Sequence, residues 1–184
     1  MVGFAPLNLT VRGRADKPSA LESGARSSRI AGMAELSDDW NPIPMIEDAL
    51  AEVLESIRED GGFAPFAITV DDEGNTDSFT MRAVDDSGDF ISDFQAIVDT
   101  LQEDAEAGDH AAVAIVSDVW VRNADGPEKR DAVTVHLEFR DGYARKFIFF
   151  YEFEERPGDG KDPYHVELRE AEIQPADPMI FDPA

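Results

Sequence analysis

Residues 131–153 read DAVTVHLEFRDGYARKFIFFYEF, and this stretch decides the fold. In residues 131–140 apolar side chains alternate with polar ones, which is typical of a β-strand with two different faces. Asp141-Gly142 follows, and Asp-Gly between two such runs is a strong signal for a hairpin turn. Residues 143–153 then form a second run that is rich in aromatic residues. The stretch therefore predicts a pair of antiparallel strands.

The second strand of this hairpin carries aromatic side chains on both of its faces. An antiparallel strand normally shows one face to water, so a strand that is apolar on both faces indicates cover on both. Either two helices lie on opposite faces of the sheet, or one face is covered by a partner subunit or by the chain's own C-terminal tail. The aromatic residues are a candidate interaction surface: Phe147, Phe149, Phe150, Tyr151 and Phe153.

Two amphipathic helices and further strands are predicted outside this hairpin. Apolar residues recur at helical spacing over residues 44–59, before Gly61-Gly62, and over residues 90–106, before Gly108. The other alternating or apolar runs predict strands at residues 66–70, 79–83, 111–122 and 164–170. The order α-β-β-α-β-β-β predicts the α+β class, with two helices packed on an antiparallel sheet of about five to six strands.

The chain of 184 residues has 16 basic and 40 acidic residues, a net charge of −24, and no cysteine. This length fits one domain with a sizeable core. The charge argues against binding to nucleic acid, because phosphate contacts need clustered Lys and Arg. The absence of cysteine excludes disulfides, thiolate metal sites and a cysteine nucleophile. No apolar run approaches the roughly 18–20 residues of a membrane span, so we expect no membrane contact and a cytoplasmic location.

The charge is distributed unevenly, because the first 33 residues carry five basic residues against two acidic ones. They show neither helical nor strand periodicity and no apolar secretory signal, so we expect residues 1–36 to be a disordered basic leader. Met33 is the expected natural start, and an organellar targeting arm is the alternative interpretation. Residues 37–184 are predicted to form a single α+β domain that ends in a Pro-rich tail.

The residues that could carry chemistry do not form a catalytic or metal-binding pattern. The loop at residues 71–77 is acidic but lacks the spacing and the final Glu of a calcium loop. His136 and His165 would have to meet across strands to bind a metal. Asp118 lies in an apolar run, where we expect an arginine as its ion-pair partner. We therefore assign no catalytic, cofactor-binding or metal-binding residue, and no cofactor.

Three runs in the second half of the chain are distinctive: VSDVWV at residues 116–121, KRDAVTVHLE at residues 129–138 and DGYA at residues 141–144. Together with a tail that ends near Ile180-Phe181, they resemble a group of small, acidic, uncharacterised bacterial α+β proteins. The resemblance covers residues 64–181, and the chain departs from it at Phe150-Tyr151, where the group has Pro-Tyr. The group has no assigned activity, so the resemblance implies a domain and a bacterial host but no function.

Three functions are consistent with these patterns. The acidity, the two-sided aromatic strand and the missing catalytic pattern favour a non-enzymatic protein that acts through contact with other proteins, as a homodimer or a small adaptor. One alternative is an acidic decoy or immunity-type inhibitor that occupies the basic site of a nucleic-acid-binding protein. Another is an enzyme with an unrecognised site, which needs a concave pocket with perturbed carboxylates or His136. The acidity also fits adaptation to a salty host, and composition alone does not separate adaptation from function.

Overall fold

The computed structural model describes residues 41–81, 90–122, 129–155 and 163–181, together with the backbone of residues 8–11. The described elements are β1 (Asn8–Val11), α1 (Ile43–Asp60), β2 (Phe66–Val70), β3 (Thr76–Phe79), α2 (Phe90–Ala107), β4 (Ala112–Arg122), β5 (Lys129–Phe139), β6 (Ala144–Glu155) and β7 (Tyr164–Pro175). All pairings between the described strands are antiparallel, in the order β3-β2-β4-β5-β6-β7, and β1 also pairs with β4. The fold is α+β, as the sequence predicts.

Both helices form where the apolar spacing predicts them, within one residue at each end. At the start of α1, Asn41 Oδ1 accepts the N–H of Ile43 at 3.2 Å. The helix ends at Gly61, which has a φ of 76° and donates its N–H to the carbonyl of Ile57. Glycine adopts this left-handed conformation without the steric cost that a side chain would add.

The two helices pack on opposite faces of the sheet, but only α1 covers the aromatic strand β6, whose Phe150 is buried on the other face in a cluster without helical residues. The apolar stripe of α1 packs on one face of β2, β4, β5 and β6, hereafter the α1 face. The opposite face, hereafter the α2 face, is covered at one end by α2 and by the C-terminal residues Ile180 and Phe181. At its other end a second buried cluster joins β4, β5 and β6. The two helices thus lie on opposite faces, and the tail adds to the cover on one of them.

Strand β3 differs from its prediction at residues 79–83, since it spans Thr76–Phe79 and residues 80 and 81 are not in a strand; residues 82 and 83 lie outside the described residues. The loop before it is shorter than expected because the Asp71 side chain closes it. The Asp71 carboxylate accepts the backbone N–H and the side-chain amide of Asn75, both at 2.7 Å, and Gly74 provides a left-handed turn residue with a φ of 83°. Three polar residues therefore enter the edge strand, where alternation of apolar residues does not reveal them.

Strand β1 lies inside the segment expected to be a disordered leader. Asn8 is opposite Arg122 and Val11 is opposite Val119, while β2 pairs with residues 112–116 of the same strand. The two strands β1 and β2 thus share one side of β4. For Asn8–Val11 the prediction of disorder is wrong, because pairing with a distant strand supplies the hydrogen bonds that local periodicity does not report. The remainder of the expected leader, including Met33, lies outside the described residues.

Candidate functional site

The aromatic residues proposed as an interaction surface are mostly core residues. Phe147, Phe149 and Tyr151 are buried on the α1 face under α1, and Phe150 is buried on the α2 face beneath the guanidinium of Arg130, 3.8 Å from its ring centroid. That expectation is wrong for these four residues, because the chain covers both faces of β6 by itself.

The fifth aromatic residue, Phe153, contacts the edge strand of the sheet. Phe153 is half-buried and stacks on Tyr164 of β7, with ring centroids 4.8 Å apart. Strand β7 pairs only with β6 among the described strands, so its outer side is an edge of the sheet. It has twelve residues, against four in β3 at the opposite edge, and residues 167–173 are all exposed. The largest uncovered backbone edge in the described part of the chain is therefore that of β7.

A β-bulge at Arg169 divides β7 into two halves. Phe150 is opposite Glu170 and Tyr151 is opposite Leu168, which leaves Arg169 as the extra residue. A bulge adds one residue to the strand and shifts the alternation of the faces by one position. The sequence contains this signal, since apolar residues occupy positions 164, 166 and 168 and then 171 and 173. Strict alternation ends at the bulge, and the predicted strand accordingly ended at residue 170 instead of Pro175.

On the α1 face, β7 presents an apolar row. Val166 is buried against the core, whereas Leu168 and Ile173 are 39% and 44% exposed. Among the described residues three large apolar side chains are exposed, and two of them, Leu168 and Ile173, lie on this strand. An additional strand placed beside β7 would therefore find apolar side chains on its α1 face.

On the α2 face, the same strand presents an acidic row. Glu167, Glu170 and Glu172 are exposed on β7, opposite Glu152, Phe150 and Ile148 of β6. Arg169 binds Glu152 and also binds Glu167 at 2.8 Å. Arg130 of β5 binds Glu170. The hydrogen bond from Arg169 lowers the pKa of Glu152, which keeps that carboxylate ionised. The row remains acidic in balance, with more carboxylates than guanidinium groups.

The buried acidic residues have structural partners. Asp118 accepts a hydrogen bond from the hydroxyl of Tyr151 at 2.8 Å. Glu138 lies on the α2 face beneath the tail and is 1% exposed. Its carboxylate accepts the backbone N–H groups of Met179, Ile180 and Phe181 at 2.5–3.1 Å, and it is 2.5 Å from Nε2 of His136. This carboxylate therefore anchors the C-terminal segment to the sheet.

The residues considered for metal binding or catalysis do not converge. His136 is opposite Lys146 on β6, whereas His165 is opposite Glu154, so the two histidines lie far apart along the sheet. Within the described ranges, no group of three or more His, Asp or Glu side chains has the geometry to hold a metal ion. Neither of the two described helices is long and apolar enough to cross a membrane.

Two open concavities of about 550 and 520 Å³ lie on either side of Arg140. The first separates α2 from the tail, and the second lies beside Asp71, Asp72 and Tyr143. Arg140 pairs with Asp72 and also donates to the carbonyls of Gly108 and His110, so it ties loops together. The hydrogen bond from Asn75 lowers the pKa of Asp71, the opposite of what a general acid needs.

Comparison with known proteins adds no relative to this description. No protein-family model, no curated protein and no solved structure matches the chain. The resemblance to a bacterial group therefore stays a prediction.

Proposed function

We propose that the protein has no chemistry of its own and acts by binding an extended segment of another protein along the outer edge of β7. The supporting observation is the run of exposed residues 167–173 on a twelve-residue edge strand. The backbone N–H and C=O groups on such an edge are a template for a further strand. An added strand gains affinity from main-chain hydrogen bonds and specificity from alternate side chains.

The choice of β7 over the other edge follows from length and side chains. Strand β3 has four residues, three of them polar and exposed, and offers few backbone groups to a partner. Strand β7 adds Leu168 and Ile173, whose exposed apolar surface on the α1 face would be removed from water by a neighbouring strand. Both backbone and side chains therefore favour β7 as the binding edge.

The buried polar groups support a role without catalysis. Asp118 and Glu138 are buried and are each occupied in holding parts of the fold together. The proposed binding partner of β7 is an extended segment of a protein in the cytoplasm. A second copy of the chain and a different protein are the two candidates for its source.

Selection from a random peptide library of the same length as β7 tests the proposal. We expect selected peptides to slow amide hydrogen exchange in β7 and to leave exchange in β3 unchanged, because strand addition protects the outward-facing N–H groups. Paired variants Glu172→Pro and Ile173→Pro supply the control, since adjacent residues in a strand direct their N–H groups to opposite edges. One of the two should abolish binding while leaving the melting temperature nearly unchanged. Binders that protect another region and ignore both variants would contradict the proposal.

A further inference from the structure

We infer that the segment bound by β7 is a strand in which apolar and basic residues alternate, and that it comes from a different protein rather than from a second copy of this chain. The inference rests on the proposed function and specifies its partner. It follows from the two different rows that β7 presents on its two faces.

The faces of an added strand are fixed by the faces of β7. Residues that point to the α1 face would lie beside Leu168 and Ile173, where apolar side chains are favoured. Residues that point to the α2 face would lie beside Glu167, Glu170 and Glu172. Opposite charges on neighbouring strands stabilise a sheet and like charges destabilise it. A strand with Lys or Arg at every second position and apolar residues between them satisfies both rows.

A second copy satisfies only one of the two rows. Antiparallel pairing of β7 with β7 about a two-fold axis keeps the α1 face of both copies on the same side. The apolar rows would then join, but the three glutamates of one copy would lie beside the same three of the other, and Arg169 and Arg130 of each copy would offset these charges only in part. Like charges that face each other across a strand pair are destabilising. The charge on β7 therefore opposes self-association and admits a basic strand.

The charge of the whole chain makes a matched control necessary, because a protein with a net charge of −24 attracts any cationic peptide. The exposed face of α1 offers one, since Asp48, Glu55 and Glu59 are exposed there, on the opposite side of the sheet from the glutamates of β7. The triple variant Glu167→Gln/Glu170→Gln/Glu172→Gln removes three charges at the proposed site. The triple variant Asp48→Asn/Glu55→Gln/Glu59→Gln removes three charges elsewhere, so the two proteins keep the same net charge.

The probes are three fluorescent peptides of the same length as β7, in which Val alternates with Lys, with Ser or with Glu. Fluorescence anisotropy at low and at high salt gives the affinities, and amide exchange locates the bound peptide. We expect the Lys peptide to bind best and the Glu peptide worst, with β7 amides protected. The β7 variant should bind the Lys peptide about tenfold more weakly, from three cross-strand charge pairs, and the α1 variant should bind it as the wild type does.

The other outcomes contradict either the basic partner, the addition of a strand, or the choice of a different protein as its source. Equal binding of the Lys and Ser peptides at β7 would overturn the basic partner and leave strand addition in place. Equal weakening by both triple variants would show general attraction to an acidic protein and would also overturn the basic partner. If no peptide protects β7, strand addition itself is wrong. Sedimentation tests whether two copies of the chain associate. A dimer that the Pro variants of β7 abolish would mean that the partner of β7 is a second copy and not a different protein.

Discussion

The substitution Glu138→Gln tests the role of the buried carboxylate in holding the C-terminal segment. In the wild type Oε1 accepts the N–H of Met179 and lies against the ring of His136, and Oε2 accepts the N–H groups of Ile180 and Phe181. Glutamine has nearly the same size, so the cavity term is small. What changes is the charge and one acceptor atom, which becomes an NH2 group.

The cost follows from these contacts. An NH2 group in place of Oε1 can donate to the ring of His136, so one backbone bond, that of Met179, is lost. The bonds to Ile180 and Phe181 persist but lose their charge assistance. A hydrogen bond to a charged group contributes about 1.5–3 kcal/mol and a neutral one about 1 kcal/mol, so losing one charged bond and the charge assistance of two others should lower the free energy of unfolding by at least about 2.5 kcal/mol.

Urea denaturation measures the loss, and amide exchange at residues 179–181 reports whether the tail detaches. The matched control is Glu154→Gln, an exposed glutamate of β6, for which we expect a change within about 0.5 kcal/mol. If Glu138→Gln changes stability no more than this control and leaves tail exchange unaltered, the carboxylate does not anchor the segment.

The pH dependence gives a second readout. Burial raises the pKa of Glu138, but the hydrogen bonds from His136 and the three backbone N–H groups outweigh it, so the pKa lies below its ordinary value of 4.5. A carboxyl group with a lowered pKa stabilises the folded state above the pKa of the unfolded chain, and this contribution is lost as the pH falls through the folded value. The gap between wild type and Glu138→Gln should therefore be full above pH 4.5 and close below it. A gap that is constant with pH would contradict the assignment.

Four further predictions follow from other contacts. Tyr151→Phe removes the hydroxyl that donates to buried Asp118 and should lower the free energy of unfolding by about 1–3 kcal/mol in urea denaturation; an unchanged value would contradict that role. Arg140→Ala removes its ion pair and the bonds to two loop carbonyls, so amide exchange at residues 108–111 should accelerate, and unaltered exchange would show that these bonds do not hold the loop. A chain that starts at Met33 lacks β1 and should lose about 2 kcal/mol, with a melting temperature about 4–8 °C lower; an equal melting temperature would mean that β1 adds no stability. Thermal melts across a salt series should show stability rising with salt, because screening relieves the repulsion of a net charge of −24, and a flat series would mean that this repulsion is already relieved.

The sequence predicts those elements whose burial is visible in local periodicity. The helices and the hairpin of β5 and β6 have regular apolar spacing, and their positions agree with the structure. Strand β3 consists of polar edge residues, which periodicity does not detect, and β7 changes phase at Arg169. In both strands the determining interaction is the pairing with a neighbour, which a local pattern does not contain.

The candidate site was less predictable than the fold for a related reason. Alternation separates the two faces of a strand but does not tell which face meets water. Glu138 and His136 occupy the polar face of β5, yet both are buried, because the tail and α2 cover that face. Conversely, the aromatic residues of β6 were considered as a surface because cover from the chain's own helices could not be distinguished from cover by a partner. The exposed edge of β7 becomes visible only when the strand order is known.

The placement of β1 has a consequence for the order of folding. Val11 pairs with Val119, so the contact closes a loop of more than a hundred residues, whereas β5 and β6 meet through a short turn. Contacts of long sequence separation carry a larger entropic cost of closure, and they tend to form after local ones. We therefore expect β1 to add to β4 on the native side of the folding barrier, so that its removal accelerates unfolding and leaves the folding rate nearly unchanged. During folding, β1 would then join β4 in the way that a partner is proposed to join β7, as an extended segment added to a strand edge that is already formed.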